Sequence, residues 1–416
     1  MNESRPPSVK KLRLLIVEEA LKNRQGHWYE YNRAIVQEAR RRDIDTTVLA
    51  HETIEKDLRQ EMGALPYFPV TSWDQVYYHP SEWRRYLGIL KHNFRVARWM
   101  RRHFAANEPY DVVLVPTVVL YHWLAWRWLT FRSGGRHFRK LVLTTRNNAG
   151  EYDPATRGYR YGSSAKVLQR AVASFRKLVS GGRVELASDS SRLAAQYGDL
   201  CGVPFVTYPH PRPSDHLPLA ARDRDPQSPL VFSALGPPRY EKGSDLILEA
   251  IRLVRQQRPD LQLRFVLQWN TKIHDPTGRE VVPSAELESD PGVTFIRRDL
   301  SSAEYQQHLE ASDGLLIPYR RAQYHARLSG VAIEAFQSGV PCICISDTWV
   351  ADTMESIGSG IAIREESAAA LAQAIIEFAV RNGEWRVRAT ERIPLARKTH
   401  SPETFVNMLF AGVPGK

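Results

Sequence analysis

The sequence predicts an α/β protein made of two doubly wound domains. Three observations carry that prediction. Apolar runs without alternation, such as LRLLIV at 12–17 and DVVLV at 111–115, read as strands buried on both faces of a parallel sheet. In both halves of the chain such runs alternate with stretches of helical period. A segment rich in Pro and charge, PHPRPSDHLPLAARDRDPQSP at 209–229, separates the halves. The 416 residues also exceed what one ordinary core holds.

In the first half, residues 1–10 are expected to be disordered. A strand at 12–17, a loop at 18–26, a helix at about 27–42 and a strand at 46–50 form a βαβ opening, with Gly26 at the helix start. Residues 52–80 read as irregular. A helix follows at 81–104, where Trp83, Leu87, Leu90, Phe94 and Ala97 keep helical spacing. Its other positions carry Arg84, Arg85, Lys91, Arg95, Arg98, Arg101 and Arg102. Strands at 111–115 and 141–145, a Trp-rich helix at 121–131, a loop at 151–162 and a basic helix at 164–178 come next. A strand at 185–188, a helix to about 197 and a strand at 205–208 complete the first domain, 1–208.

After the linker at 209–229, the second domain (230–397) opens with a strand at 230–234 and a helix at 244–257. Strands follow at 263–268 and 293–295, and a helix at 302–311. The stretch IPYRRAQYHARLSGVAIEAFQSGVPCICIS at 317–346 then reads as strand end, loop, helix and strand, with Gly339 and Pro341 closing the helix. A strand at 361–363 and helices at 367–380, 384–397 and 402–411 finish the chain. Residues 398–416 are expected to pack back on the first domain.

Composition narrows the function classes. Hydrophobic content of 43% and charged content of 25% are those of a globular protein, and no apolar run is long enough to span a bilayer. No signal peptide is apparent, and Cys201, Cys342 and Cys344 are spaced badly for a metal site, so no metal and a reducing, cytoplasmic setting are expected. Net charge of +11 points to an anionic partner. No helix-turn-helix, zinc-finger or RNP signature is present, so nucleic acid is not expected.

Two constellations carry chemistry. GPPRYEKG at 236–243 places Gly236, Arg239 and Lys242 in a loop between a strand and a helix, where two cations can hold a diphosphate. In the 317–346 stretch, the loop carries Tyr319, Arg320, Arg321, Tyr324, His325 and Arg327. Ser329 and Gly330 then offer free N–H groups at a helix start. Glu334, one turn along, would be repelled by a phosphate and suits the two hydroxyls of a ribose. Taken singly, each constellation could be a solvated turn or an exposed first-turn acid. Both at strand ends of one domain favour a nucleotide site.

GPPRYEKGSDLILEA and SGVAIEAFQSGVPCICIS resemble the donor half of GT-B glycosyltransferases, specifically the large retaining family 4. That resemblance implies two Rossmann-like domains facing across a cleft and transfer of a sugar from a nucleotide-diphosphate sugar, without a metal or other cofactor, to a saccharide or lipid-linked acceptor. It implies donor contacts from Gly236, Arg239, Lys242, Arg297, Tyr319, Tyr324, Arg327, Ser329, Gly330 and Glu334, with Arg239, Lys242 and Glu334 the catalytic set. The family Arg falls on Pro237, with Arg239 substituting. The family's earlier Glu falls on Ala326, a gap that Tyr324 and Arg327 can fill. Gly26, His27, Arg146 and Asn147 fall on the acceptor side. Two other readings stand beside this one: a binding protein of the same shape without transferase activity, and a nucleotide-sugar epimerase.

The basic, aromatic helices at 83–104 and 121–140 also admit two readings. Their apolar stripe packs on the sheet with the arginines solvated, or it lies on an anionic membrane.

Overall fold

The computed structural model describes residues 11–24, 27–75, 81–133, 136–213 and 228–413. The expected disorder of 1–10, most of the linker, and Gly26 lie outside these residues. The chain forms two compact units, one of residues 1–149, 161–212 and 401–416, the other of 150–160 and 213–400.

In chain order the first unit contains β1 (Arg13–Val17), α1 (His27–Arg41), β2 (Asp45–His51), α2 (Lys56–Met62), β3 (Ala64–Phe68), α3 (Ser72–Gln75), α4 (Glu82–Ala106), β4 (Tyr110–Val115), α5 (Trp123–Ser133) and β5 (Phe138–Thr145). The chain then makes a hairpin, β6 (Glu151–Asp153) and β7 (Gly158–Arg160), that belongs to the second unit. It returns with α6 (Ala165–Ala173), α7 (Arg176–Ser180), β8 (Val184–Ser188), α8 (Ser191–Cys201) and β9 (Val206–Thr207). The strands form one parallel sheet in the order β3-β2-β1-β4-β5-β8-β9. Its order reverses at β1 and β4, the switch point beyond whose strand ends ligands bind in such sheets.

The second unit continues with β10 (Leu230–Ala234), α9 (Ser244–Gln257), β11 (Leu263–Gln268), β12 (Ile273–His274), β13 (Glu280–Val281), α10 (Ala285–Ser289), β14 (Val293–Ile296) and α11 (Ser302–Ala311). It ends with β15 (Gly314–Ile317), α12 (Arg321–Tyr324), α13 (Gly330–Ser338), β16 (Cys342–Ile345), α14 (Trp349–Ile357), β17 (Gly360–Ile363), α15 (Ala368–Val380) and α16 (Asn382–Thr399). Its parallel sheet runs β14-β11-β10-β15-β16-β17 and reverses at β10 and β15. Helix starts are set by side chains. Ser301 and Glu304 form a reciprocal capping box on α11, and Ser329 and Ser367 cap α13 and α15. The last helix, α17 (Pro402–Phe410), returns to the first unit, where Phe405, Val406 and Leu409 join its core.

The structure corrects several expectations. Residues 52–80 are not all irregular. They include α2, β3 and α3. Pro66 is tolerated in β3 because β3 is an edge strand. The loop at 151–162 holds the β6–β7 hairpin, and the helix at 164–178 breaks in two at Ser174 and Phe175. Helices α12 and α14 had no counterpart in the periodicity reading.

The largest correction concerns α4. Trp83, Leu87, Leu90 and Phe94 do not pack on the sheet. They are 60%, 54%, 56% and 65% exposed. The packing is done instead by Ile89, Val96, Ala97, Met100 and Phe104, all buried. The helix has two apolar faces, and the 3-4-3 spacing selects the outer one.

Candidate functional site

The two motif loops of the second unit meet. Gly236, just past β10, has φ +88° and donates its N–H to Gln268 Oε1 at 2.8 Å. Residues Tyr240–Lys242 form a 3-10 turn that ends at Gly243, with φ +70°. Arg320, past β15, donates its N–H to Glu241 O at 2.9 Å and its Nε to Tyr240 O at 3.1 Å. Its guanidinium pairs with Asp245 at 2.6 Å. The loops after β10 and β15 are therefore bound together at the switch point of their sheet.

At that junction Lys242 Nζ donates to Pro237 O at 3.0 Å and lies 5.8 Å from the centre of the Tyr319 ring. Desolvation, then the nearby Arg239 charge, bring the Lys242 pKa down to about 8. Tyr319 shares a hydrogen bond with the Ser329 side chain, and burial pushes its phenol up. Its ring centre is 4.4 Å from that of Tyr324, whose face carries Arg327 at 5.1 Å. Ser329 caps α13 by accepting from Ala332 N–H at 3.3 Å. One locus thus collects a lysine of lowered pKa, Arg327, two tyrosines and a helix N-terminus. An adjoining pocket is lined by Gly236, Lys242, Gln268, Trp269 and Tyr319. Gln268 and Trp269 were missed in the sequence, although they stand at the carboxyl end of a strand, where ligand contacts arise.

The other expected residues fall as follows. Arg239 is exposed and 3.6 Å from Glu241, and its charge is felt at Lys242 and both tyrosines. Glu334, on α13, accepts from Tyr305 Oη at 2.7 Å. Gly330 is the first residue of α13. Arg297 is not brought to this locus. It pairs with Glu288 and lies 5.5 Å from the Phe295 ring centre, because β14 is the edge of the sheet. Arg320 and Arg321 are engaged in structural pairs, Arg321 with Glu366 and the Ser346 carbonyl. Ala326 is fully buried.

The β6–β7 hairpin grips the same loop. The Tyr152 ring stacks on His325, centres 3.5 Å apart and 9° from parallel. His325 Nδ1 shares a 2.7 Å hydrogen bond with Tyr159 Oη, and Tyr152 Oη donates to Asp347 at 2.9 Å. None of these contacts is local in sequence, so no motif announces them.

In the first unit, two of the expected residues are structural in their visible contacts. Arg146 is packed between Asp189 (3.1 Å), His210 Nδ1 (3.1 Å) and the Tyr31 ring (4.6 Å). Asn147 offers its carbonyl to Tyr197 Oη at 3.1 Å. Gly26 lies outside the described residues, and His27 is placed only as the first residue of α1. The switch point instead holds residues missed in the sequence. Glu18 and Glu19 follow β1, and with Thr117 and His122 they line a pocket. Thr117 Oγ1 donates to Glu18 at 3.2 Å. Burial raises the Glu18 pKa to about 7. Burial also opposes ionisation of Glu19, but His122 and His92 more than offset it and hold that carboxyl far below its usual range.

Glu19, His92 and His122 are, among the described residues, a group close enough to bind a metal ion. Their hydrogen bonds explain them without one. Val119 N–H donates to His122 Nδ1 at 3.4 Å, which leaves the proton on Nε2, 3.1 Å from Glu19. His92 Nε2 is 2.9 Å from the other carboxylate oxygen. The result is a His–Glu–His chain tying α4 and the start of α5 to the end of β1.

Residues 229–380 match the family model described as Glycosyl transferases group 1. No curated protein matches the sequence. Solved structures similar in fold cover nearly the whole chain. The N-terminal domain of trehalose-6-phosphate phosphatase from Candida albicans has a TM-score of 0.68 at 11% identity, over 99% of each chain. Sucrose-phosphate synthase from Thermosynechococcus elongatus has a TM-score of 0.62 at 14% identity, over 96% of this chain and 97% of that one. Anabaena HepE, solved with UDP-glucose, has a TM-score of 0.59 at 13% identity, over 96% and 98%.

Proposed function

With a GT-B fold that carries the group 1 glycosyl transferase pattern over residues 229–380 as the premise, we propose that this protein transfers a sugar from a nucleotide-diphosphate sugar to a saccharide or lipid-linked acceptor. The observation that carries the reading is the joined pair of loops after β10 and β15, which sets Lys242 beside Tyr319, Ser329 and Arg327. Breaking the bond between the anomeric carbon and the donor phosphate leaves negative charge on the diphosphate. Lys242, Arg239, Arg327 and the N–H groups at the start of α13 meet that charge as it grows. Glu334 would take the ribose hydroxyls as a bidentate acceptor. The acceptor hydroxyl oxygen forms the new bond to the anomeric carbon, and its proton passes to the departing diphosphate oxygen. HepE, of similar fold, was solved with UDP-glucose, which supports a uridine donor. Retention of configuration and independence from a metal follow from the family resemblance, and the cations named here supply the charge neutralisation such a mechanism requires.

The test pairs binding with turnover. Thermal unfolding in UDP-, GDP- and ADP-sugars should rise with one nucleotide series, by about 2.7 kcal/mol at a hundred times the Kd. Lys242→Ala should unfold at the same temperature without ligand and lose about 10²–10³ in sugar transfer. Unchanged turnover in that variant would remove the phosphate-site assignment. Ala326 and Pro237, which stand where the resembled family carries an acid and an Arg, favour a second reading, a binding protein of this shape without transfer. Nucleotide-sugar binding with no release of free nucleotide in any acceptor panel would select it.

A further inference from the structure

Helix α4 carries three distinct faces. At about 100° per residue, Ile89, His92, Val96, Met100 and Phe104 share the inner face, and all are buried. Trp83, Leu87, Leu90 and Phe94 follow i, i+4, i+7 and i+11, so they fall within about 60° of arc. All four are more than half exposed. Arg84, Lys91, Arg95, Arg98 and Arg102 occupy the adjoining arc of about 60°, and of these all but the half-buried Arg95 are exposed. From Trp83 to Ala106 the helix has no Asp or Glu. Beside it, α5 packs against α4 and presents Phe131, 75% exposed, with the Arg127 guanidinium 5.4 Å from its ring centre.

Scattered single apolar residues on a surface need no explanation, but a continuous stripe of four large ones marks an interaction site. A nucleic acid would use the cations and leave the stripe unexplained. A lipid surface uses both, because acyl chains take the apolar side chains and anionic headgroups take the flanking arginines and lysine. Among the described residues no helix is long and apolar enough to cross a membrane, so this face would lie on the bilayer and not span it.

We propose that the outer face of α4, with Phe131 of α5, docks the first unit on an anionic lipid surface. Trp83, Leu87, Leu90 and Phe94 enter the headgroup boundary, and the Arg/Lys flank contacts lipid phosphates. The docking stands on this helix alone. That it presents a lipid-linked acceptor rests on the glycosyl-transfer reading.

The test uses the full chain and vesicles of phosphatidylcholine with or without about one third phosphatidylglycerol. The chain should sediment with the anionic vesicles and much less with the neutral ones, and the binding should weaken with salt. Leu87→Ser/Leu90→Ser/Phe94→Ser should lose at least about tenfold in partitioning. Because these side chains are exposed, the thermal midpoint and the nucleotide response of the variant should stay unchanged. Brominated lipid should quench a component of the fluorescence that Trp83→Phe removes. Equal sedimentation with both vesicle types, or binding untouched by the triple substitution, would overturn the proposal. A concentration-dependent dimer abolished by the same substitution, without vesicle binding, would overturn it in favour of a second copy of this chain. Vesicle binding in a protein that fails every nucleotide test would overturn the transfer reading and leave the docking face standing.

Discussion

A Cβ added to Gly243 would stand 2.3 Å from the carbonyl oxygen of Pro318. The loop after β10 and the end of β15 touch backbone to backbone at this point, and Gly243 also has φ +70°. Gly243→Ala would therefore push the loops apart and strain the residue, the left-handed backbone alone costing about 1–2 kcal/mol. The expected outcome is a fall in nucleotide affinity of at least about tenfold, since Lys242 moves away from Tyr319 and Ser329. Calorimetric titration with UDP or GDP checks this. Wild-type affinity in Gly243→Ala would show that the junction does not shape the site.

If Lys242 meets the donor diphosphate, nucleotide binding should be sensitive to pH. Burial and Arg239 disfavour the charged form of Lys242 and bring its pKa to about 8. A bound diphosphate favours the charged form and raises that pKa again. The sign follows. Below about 8 the ammonium is already formed and affinity is insensitive to this group, whereas above about 8 binding must take up a proton and affinity falls as pH rises. Calorimetry at pH 8.5 in buffers of different ionisation heat should report proton uptake, absent in Lys242→Met. No difference between buffers would assign the lowered pKa to packing alone.

The sequence made the two sheets and the junction of the loops after β10 and β15 legible because each rests on local signals: apolar runs, Gly243, and the Ser329 cap of α13. What it hid depends on contacts distant in the chain. Arg320 and Arg321 stand in the sequence simply as loop cations, and only the structure shows Asp245 and Glu366 holding them. Arg297 lies in a strand-end position of the right type, but on an edge strand. Arg146 has the charge expected of an acceptor residue, and Asp189 and His210 engage it. Glu18 and Glu19 look like solvated loop acids, and only the neighbouring Thr117, His92 and His122 reveal them as buried. Helix α4 shows the limit of periodicity most plainly, since its stripe was visible while the face it presents was not.

Glu334 offers a test of the nucleoside end. Tyr305 donates a hydrogen bond to its carboxylate, and a carboxylate is a bidentate acceptor suited to the two hydroxyls of a ribose. Wild-type protein should prefer a ribonucleoside diphosphate over its 2′-deoxy form by about tenfold, the worth of one hydrogen bond to a charged group. Glu334→Ala should erase that preference while retaining the response to inorganic pyrophosphate. Tyr305→Phe should keep the preference. A preference that survives Glu334→Ala would place the ribose elsewhere.

Glu18 ties the stability of the first unit to pH. Buried at the end of β1, its carboxyl titrates at about 7 instead of in the usual carboxylate range near 4.5. The unfolded chain ionises it first, so its contribution is fully present below about 4.5 and is lost as pH rises through about 7. A displacement of that size corresponds to about 3 kcal/mol. The charges facing it act in opposite directions, Glu19 raising its pKa and Arg146 lowering it. Glu18→Gln keeps the shape and stays neutral at every pH, so it should match wild type near pH 4 and become increasingly more stable than wild type up to pH 8. Urea midpoints of both proteins across that range give the comparison, and their difference cancels every other titrating group. A gap that does not widen between pH 5 and 8 would mean that Glu18 is ionised throughout, with water or Arg146 compensating for its burial.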